Sequence, residues 1–237
     1  MALSDSQIER YSRQIIVPEV GGRGQERLLA ARLVIAGEIG DLAPVLAYMA
    51  GAGVGEIFLH AGHDRSLTER MITDMRELNS DAKILAADDH DPDLTEPADL
   101  VLILAGTPAS PLAHGGKIPL PPGEGKRSAA ERAGEGVPRS WPLILARLDS
   151  PGKIAVMTSS PPCPACADAD LLAPFGARAE TAGLIAMVAA VEAFKILTGR
   201  TLAASALLEF DGYRCVAREL KAGPARCGCA AGDAKLR

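Results

Sequence analysis

Four of the five cysteines form two close pairs in the last third of the chain. Cys163 and Cys166 are separated by two residues, and Cys227 and Cys229 by one. Two pairs of thiolates from distant turns are a usual ligand set of a structural, tetrahedral zinc ion. The odd total of cysteines also suits metal binding in a reducing compartment better than a disulfide framework. The spacing therefore predicts a structural zinc site formed by these four residues, with Cys229 the least regular ligand because the second pair is tighter.

Other cysteine chemistry is a weaker interpretation. Cys163 and Cys166 could form a redox pair, but they follow two prolines in a loop, whereas activated thiolates usually open a helix. Cys215 lies within a strand pattern and is interpreted as a small core residue. The four histidines show no metal-binding spacing and are interpreted as surface or loop residues: His60, His63, His90 and His114.

The segments that position these residues follow the order of a doubly wound α/β fold. The apolar run Arg32–Gly37 predicts a strand, residues 41–52 a helix and residues 56–60 a second strand, which together form the first βαβ unit of a parallel sheet. Further elements are predicted as strands at 83–87 and 99–105, ordered segments at 142–148 and 153–157, helices at Arg65–Leu78 and Ala179–Leu197, and a hairpin at 207–211 and 213–220. The predicted fold class is α/β: a Rossmann-like, doubly wound, mostly parallel sheet with a C-terminal antiparallel portion.

One domain is expected over residues 1–237, because a chain of this length and composition buries one sizeable core. Residues 1–24 are predicted to form an N-terminal helical arm, in which Ser4 or Asp5 caps a helix over 7–16 that Pro18 and the pair Gly21-Gly22 end. Two further predictions concern domain organisation. A flexible surface loop is predicted at 106–140, where Pro, Gly and charged residues alternate, and a zinc-site region at 160–229.

Charge and hydropathy exclude several classes of function. The formal net charge is -5, whereas a nucleic-acid-binding surface needs clustered Lys and Arg in excess. The longest apolar stretches are too short to span a bilayer, and the first residues lack the apolar segment of a signal peptide. We therefore expect a cytoplasmic protein that binds neither nucleic acid nor membrane.

Four short stretches carry a family resemblance, and they occur in the family's order with the cysteine pairs in the expected places. They are Arg10-Tyr-Ser-Arg-Gln-Ile15, Gly51-Ala-Gly-Val-Gly55, Gly152-Lys-Ile-Ala-Val156 and Glu192-Ala-Phe-Lys-Ile-Leu197. In these stretches the chain resembles the MoeB/ThiF/HesA family of ubiquitin-activating-like adenylyltransferases. The resemblance implies a homodimeric Rossmann-like domain that binds ATP with Mg²⁺. It also implies a partner, a small ubiquitin-like or sulfur-carrier protein whose C-terminal carboxylate is adenylated.

The glycine-rich ATP turn of that family has the pattern GxGGxG, and here the same place holds Gly37-Glu-Ile-Gly40-Asp-Leu-Ala43. Ile39 and Leu42 stand where two glycines are expected, and Glu38 and Asp41 add negative charge where a phosphate would bind. Only Gly37 and Gly40 are retained, which predicts weakened or lost ATP binding. In an alternative interpretation the turn is purely structural, with Asp41 as the helix N-cap.

Other positions of the family's site are also altered. Arg13 matches the arginine that family members send across the dimer toward the neighbouring ATP, and Arg70 or Arg76 could substitute for the phosphate-binding residues. Each of these arginines could equally be an ordinary helix charge. Asp64 is offset from the position of the family's ribose-binding acid. Residues 102–107, which match the family's Mg²⁺-ATP turn, contain no carboxylate. Residues 175–181, which match the place of the family's cysteine nucleophile, contain no cysteine. We therefore assign no catalytic residue.

The leading hypothesis is a divergent family member that acts by binding a partner, with adenylation weakened or lost. The first alternative is an active adenylyltransferase with a rearranged ATP site. A nicotinamide or flavin oxidoreductase ranks last, because it needs an intact GxGxxG turn and a well-placed acid for the ribose.

Overall fold

The computed structural model describes residues 3–61, 64–86, 98–105, 142–148, 152–157, 179–200, 205–210 and 214–220. The helices are α1 (Asp5–Arg10), α2 (Ser12–Ile15), α3 (Gly21–Ala30), α4 (Ile39–Ala52), α5 (Arg65–Leu78) and α6 (Ala179–Leu197). The strands are β1 (Arg32–Gly37), β2 (Glu56–Ala61), β3 (Lys83–Ala86), β4 (Leu100–Ala105), β5 (Leu143–Arg147), β6 (Gly152–Met157), β7 (Ala206–Phe210) and β8 (Cys215–Glu219).

The eight strands form one sheet in the order β3-β2-β1-β4-β5-β6-β7-β8. The pairs from β3 to β5 are parallel, and the pairs from β5 to β8 are antiparallel. This arrangement confirms the predicted fold class, including its C-terminal antiparallel portion. From β1 the chain continues to one side through β2 and β3, and then to the other side through β4 and β5. The strand order therefore reverses between β1 and β4, which is the place where doubly wound sheets bind ligands.

The central strands are buried on both faces, which explains why they are continuous apolar runs. In β1, Leu33 and Ile35 belong to one buried cluster and the alternating Val34 and Ala36 to another. The first cluster also holds the inward sides of α4 and α6, so these two helices cover that face of the sheet. This packing fixes the position of α4 relative to the end of β1.

The N-terminal arm differs from the prediction. Ser4 does cap α1, with its side chain accepting a hydrogen bond from the backbone N–H of Gln7 in a capping box. The predicted single helix over 7–16, however, is divided at Tyr11 into α1 and α2, and the pair Gly21-Gly22 begins α3. The reason is burial, since Leu28 and Gln25 of α3 are inaccessible to solvent and hold this extra helix against the body.

The interpretation of Cys215 as a core residue is wrong, because its side chain is exposed. Cys215 begins β8, which is the last strand of the sheet and has every side chain exposed. The alternating pattern predicts a strand but does not reveal that the strand lies at an edge. No helix within the described ranges combines the length and apolar character needed to cross a membrane.

Candidate functional site

The candidate nucleotide site lies at the carboxyl ends of β1, β2 and β4. Gly37 is the last residue of β1 and pairs in register with Ala61, the last residue of β2. On its other side the neighbouring strand is β4, where Ala36 pairs with Ile103. The first turn of α4 follows directly, so Gly37 and Gly40 both lie near the strand-order reversal, where doubly wound folds bind ligands.

Gly37 is required by packing within the sheet. A Cβ at this position would lie 2.8 Å from the carbonyl oxygen of Leu104 and 3.0 Å from Cδ2 of Leu42. Real Cβ atoms do not approach a backbone oxygen so closely, so no side chain fits here without a shift of β4. The retention of this glycine is therefore explained without a nucleotide.

Gly40 has a different environment. It is exposed, and a Cβ added to it would meet no atom within 4 Å. As the second residue of α4, it belongs to the first turn of the helix, where backbone N–H groups lack intrahelical partners and attract anions. Gly40 is the one residue of the turn from Gly37 to Ala43 that is classed as exposed, and the others are half-buried or buried.

The two residues that replace the expected glycines are tied to the core. Leu42 is completely buried, and Ile39 packs against the same cluster. In dinucleotide-binding turns these glycines allow the backbone to approach phosphate and the helix to approach the strand. In this chain, apolar side chains occupy that room and anchor the start of α4.

The charges of the turn are acidic. Glu38 is the N-cap residue of α4, and its carbonyl oxygen accepts hydrogen bonds from the backbone N–H groups of Asp41 (3.0 Å) and Leu42 (3.1 Å). Asp41 is thus not the N-cap, and the prediction that it caps the helix is wrong because α4 begins two residues earlier, at Ile39. Burial raises the pKa of the Asp41 carboxyl above its usual range. A carboxylate in the first turn interacts favourably with the helix dipole, as a phosphate would.

The arginines predicted for this site lie on α5 and α2. Arg70 is exposed on α5, and the guanidinium of Arg76 donates a hydrogen bond to the carbonyl oxygen of Ile84. Asp64 accepts a hydrogen bond from the backbone N–H of Leu67 (3.0 Å) and caps α5. Both Arg76 and Asp64 therefore have structural roles in the β2-α5-β3 unit.

Arg13 lies at the opposite end of α4 from the turn. It is exposed on α2, two residues after Tyr11, whose ring packs against Gly53 at the C-terminal end of α4. A helix of this length extends about 20 Å, which exceeds the reach of an arginine side chain. Arg13 and Gly40 of the same chain are therefore not brought together.

A buried polar cluster around Tyr11 was not predicted from the sequence. The Tyr11 hydroxyl donates to Oδ2 of Asp81 (2.9 Å) and accepts from Nδ2 of Asn79 (2.8 Å). Asn79 also donates to the carbonyl oxygen of Ala50 (2.7 Å). Burial, aided by Asp81, raises the pKa of Tyr11 to about 12 although the hydrogen bond from Asn79 opposes the shift. This cluster, called the Tyr11 cluster below, joins the N-terminal arm to the end of α4.

The predicted zinc ligands Cys163, Cys166, Cys227 and Cys229 lie outside the described residues, as do His63, His90 and His114. Residues 106–140 also lie outside them. Within the part of the chain that the structure describes, no group of three or more His, Cys, Asp or Glu side chains could hold a metal ion. The zinc prediction therefore continues to depend on the cysteine spacing.

Known proteins resemble the chain both along most of its length and, more closely, over short stretches. No family model matches. The adenylyltransferase and sulfurtransferase MOCS3 of Aedes aegypti is 27% identical over a 265-residue alignment that covers 96% of this chain and 56% of that protein. The SAMP-activating enzyme E1 of Haloferax volcanii is 49% identical over 57 residues, 24% of this chain and 21% of that protein. The chain is similar to adenylyltransferases of the MoeB/ThiF type. It spans about half the length of the mosquito relative.

The fold of this chain also matches solved structures. Escherichia coli MccB, in a crystal structure with succinimide, superimposes with a TM-score of 0.61 at 17% identity, covering 93% of this chain and 74% of that one. A crystal structure of MccB with ATP gives a TM-score of 0.60 over the same shares. At this level of identity the likeness establishes the fold alone.

Proposed function

We propose that this chain is a member of the MoeB/ThiF family that binds a small ubiquitin-like or sulfur-carrier protein, and that its ATP-dependent adenylation of that protein is weakened or lost. The β1–α4 turn carries the proposal, because apolar side chains fill two glycine positions and two carboxylates flank the helix start. The partner class follows from the relatives, which include the SAMP-activating enzyme E1 and a sulfur carrier protein adenylyltransferase of Thermus thermophilus.

The electrostatic argument can be given a magnitude. Two like unit charges 5 Å apart repel by about 3 kcal/mol at an effective dielectric constant of about 20. The β- and γ-phosphates of ATP would carry several charges toward Glu38 and Asp41, and Asp41 is itself partly desolvated. Each such pair weakens binding by roughly a hundredfold unless a cation intervenes.

The steric argument is independent of charge. A Cβ added at Gly37 would lie 3.0 Å from Cδ2 of Leu42. Leu42 belongs to the main hydrophobic cluster and Ile39 packs against it, so these side chains cannot leave the turn without opening the core. A phosphate would have to bind at the accessible backbone of Gly40, with less enclosure than a glycine-rich turn provides. Both arguments support a site that holds nucleotide poorly.

An active adenylyltransferase with a rearranged site is the second candidate. The accessible start of α4 at Gly40 favours it, together with the similarity to an adenylyltransferase along 96% of the chain. In that case Mg²⁺-ATP would be the cofactor, and Arg70 and a partner subunit's arginine are the available cations. It predicts exchange of pyrophosphate into ATP with a cognate carrier.

The proposal has three further parts. Cys163, Cys166, Cys227 and Cys229 would hold a structural zinc ion, which four thiolates bind well and which would link two distant turns. The chain would act as a homodimer, which the family resemblance implies. Its place would be the cytoplasm, where thiolate ligands stay reduced.

Calorimetric titration with Mg²⁺-ATP, on protein of known zinc content, tests the nucleotide part of the proposal. We expect no measurable heat of binding for the natural chain. The double variant Glu38→Gln, Asp41→Asn should bind ATP more strongly than the natural chain. The control double variant Asp74→Asn, Glu77→Gln, which changes exposed acids on α5, should not. Tight binding by the natural chain would instead favour the active adenylyltransferase.

Carrier binding is tested separately. A small carrier protein ending in Gly-Gly is titrated into the chain with and without Mg²⁺-ATP, and formation of AMP and pyrophosphate is followed. Binding without AMP formation supports the proposal. Robust AMP formation refutes the loss of activity, and absence of binding to several such carriers refutes the partner class.

A further inference from the structure

The first residues of the chain are attached to the body of the fold chiefly by one side chain. In the segment from residue 3 to residue 20, here called the arm segment, Tyr11 is the one buried residue. Helices α1 and α2 themselves contain no buried residue. Two large apolar side chains of the segment stay in water, since Ile8 is 47% exposed and Ile16 is 77% exposed. The arm segment therefore gains little stability from apolar burial beyond Tyr11.

The arm segment also lies outside the hydrophobic core. Neither buried cluster of the described residues includes a residue before Leu28, which belongs to α3. Tyr11 is buried instead against Gly53 and within the polar Tyr11 cluster. A segment that shares no apolar core with the rest of a domain can leave its place without opening that core.

The polar contacts of Tyr11 come from two residues of the body that lie close together in the chain. Asp81 accepts a hydrogen bond from the Tyr11 hydroxyl and also forms an ion pair with Arg10 (3.7 Å). Asn79 donates a hydrogen bond to the same hydroxyl. Arg10 is 44% exposed, so its ion pair contributes little. The attachment of the arm segment therefore depends mainly on the ring and hydroxyl of Tyr11.

A glycine lies where the arm segment joins the body. Gly21, the first residue of α3, has φ 59°, and a Cβ added to it would meet no atom within 4 Å. Glycine changes its φ angle at little steric cost, so the backbone can rotate at this point. Gln25, one turn later, is completely buried and donates a hydrogen bond to the carbonyl oxygen of Ala52 (3.0 Å). Rotation at Gly21 can therefore move the arm segment while the rest of α3 stays in place.

We propose that the arm segment is a strap that opens as one unit, with Tyr11 as its latch and Gly21 as its hinge. The inference is independent of the proposed function, since it concerns a motion of the chain without nucleotide or carrier. Opening separates Tyr11 from Asn79 and Asp81 and moves Arg13 away from the last turn of α4. A ligand that binds one position of the strap better than the other would shift the equilibrium by its difference in affinity.

Native-state hydrogen exchange of the full chain, resolved by residue, tests the proposal. The amides of Tyr11, Gln14 and Ile15, which are hydrogen-bonded within the arm segment, should exchange at one common opening rate. We expect this exchange to be faster than that of the most protected amides of β1 by roughly tenfold or more. Tyr11→Phe should accelerate it roughly thirtyfold, because the closed strap loses the hydrogen bonds of the hydroxyl. Tyr48→Phe, outside the Tyr11 cluster, is the control and should leave it unchanged.

A substitution in the core separates opening of the strap from unfolding of the whole domain. Ile35→Val changes a completely buried residue of β1 that belongs to the main hydrophobic cluster. It should accelerate exchange of the most protected β1 amides about fivefold. The amides of the arm segment should keep their exchange rate, because opening of the strap leaves this cluster intact.

Three results would overturn the inference. Equal acceleration of the arm and core amides in Ile35→Val would mean that the arm segment leaves only when the domain unfolds. Exchange of the arm segment that Tyr11→Phe does not change would exclude Tyr11 as the latch. Exchange rates that fall steadily from Ser4 toward Ile15 would indicate fraying from the terminus, residue by residue, and not the opening of one unit.

Discussion

Replacement of Tyr11 by phenylalanine tests whether the Tyr11 cluster holds the N-terminal arm to the body. The side chain is 1% exposed, so Tyr11→Phe keeps the ring and removes only the hydroxyl. The change deletes the hydrogen bond to the Asp81 carboxylate and leaves one N–H of Asn79 without its acceptor.

The expected magnitude follows from these two losses. A hydrogen bond to a charged group contributes about 1.5–3 kcal/mol, and an unpaired buried donor costs about 1–3 kcal/mol. Asp81 is partly exposed, and water can replace the lost donor there. We therefore expect the free energy of unfolding to fall by about 2 kcal/mol, with a decrease in Tm of several degrees.

The effect of pH gives a second readout. The folded pKa of Tyr11 is raised from 10.0 to about 12, chiefly by burial, so the folded state holds the phenol proton more tightly than the unfolded chain. The stability from this shift is fully present below pH 10 and is lost as the pH rises toward 12. The stability difference between the natural chain and Tyr11→Phe should therefore shrink over that interval.

Urea unfolding at neutral pH and near pH 11 measures both effects, and absorbance of the phenolate at alkaline pH follows the titration directly. Tyr48→Phe is the control, because Tyr48 is partly exposed and outside the cluster. Equal stability of Tyr11→Phe and the natural chain at neutral pH would refute the reasoning. So would a Tyr11 titration near pH 10.

Three further predictions follow from single positions. Gly53→Ala should destabilise the fold by more than about 3 kcal/mol. The reason is that Gly53 has φ 88° and an added Cβ would lie 2.6 Å from the Tyr11 ring. A Tm within a degree or two of the natural chain's would contradict this. Asp41→Asn should slightly raise the free energy of unfolding at neutral pH. Because the folded pKa of Asp41 is raised, the stabilisation from this carboxyl is present at acid pH and is lost as the pH rises through the folded pKa. In urea unfolding the extra stability of the variant should vanish at acid pH, and an unchanged difference there would refute the burial argument. Metal analysis should find about one zinc per chain, reduced by Cys163→Ser but not by Cys215→Ser; equal zinc in both variants would exclude the predicted ligand set.

The elements that the sequence predicted well are those whose limits are local. Residues Arg65–Leu78 form α5 as predicted, because Asp64 caps its start and the apolar spacing continues through it. The helix Ala179–Leu197 and the C-terminal hairpin are likewise confirmed. Capping, hydrophobic periodicity and turn residues all act within a few residues of one another, so these signals can be identified in a single sequence.

The errors arose where distant residues decide the structure. The arm breaks at Tyr11 because Asn79 and Asp81, about seventy residues away, bind its hydroxyl. α4 starts at Ile39, where Ile39 and Leu42 pack into a core that also includes residues of β4 and α6 far along the chain. The sequence shows that the glycine pattern is lost. It does not show that Leu42, at one of the lost glycine positions, is buried in the core and anchors the start of α4.

Helix α4 links the features on which the proposals depend. Its first turn carries the altered site, and its last turn accepts the hydrogen bond of Asn79 in the Tyr11 cluster. Arg13 is held near the last turn, about 20 Å from Gly40 of the same chain. An arginine contribution to the nucleotide turn from this position therefore requires a second copy of the chain.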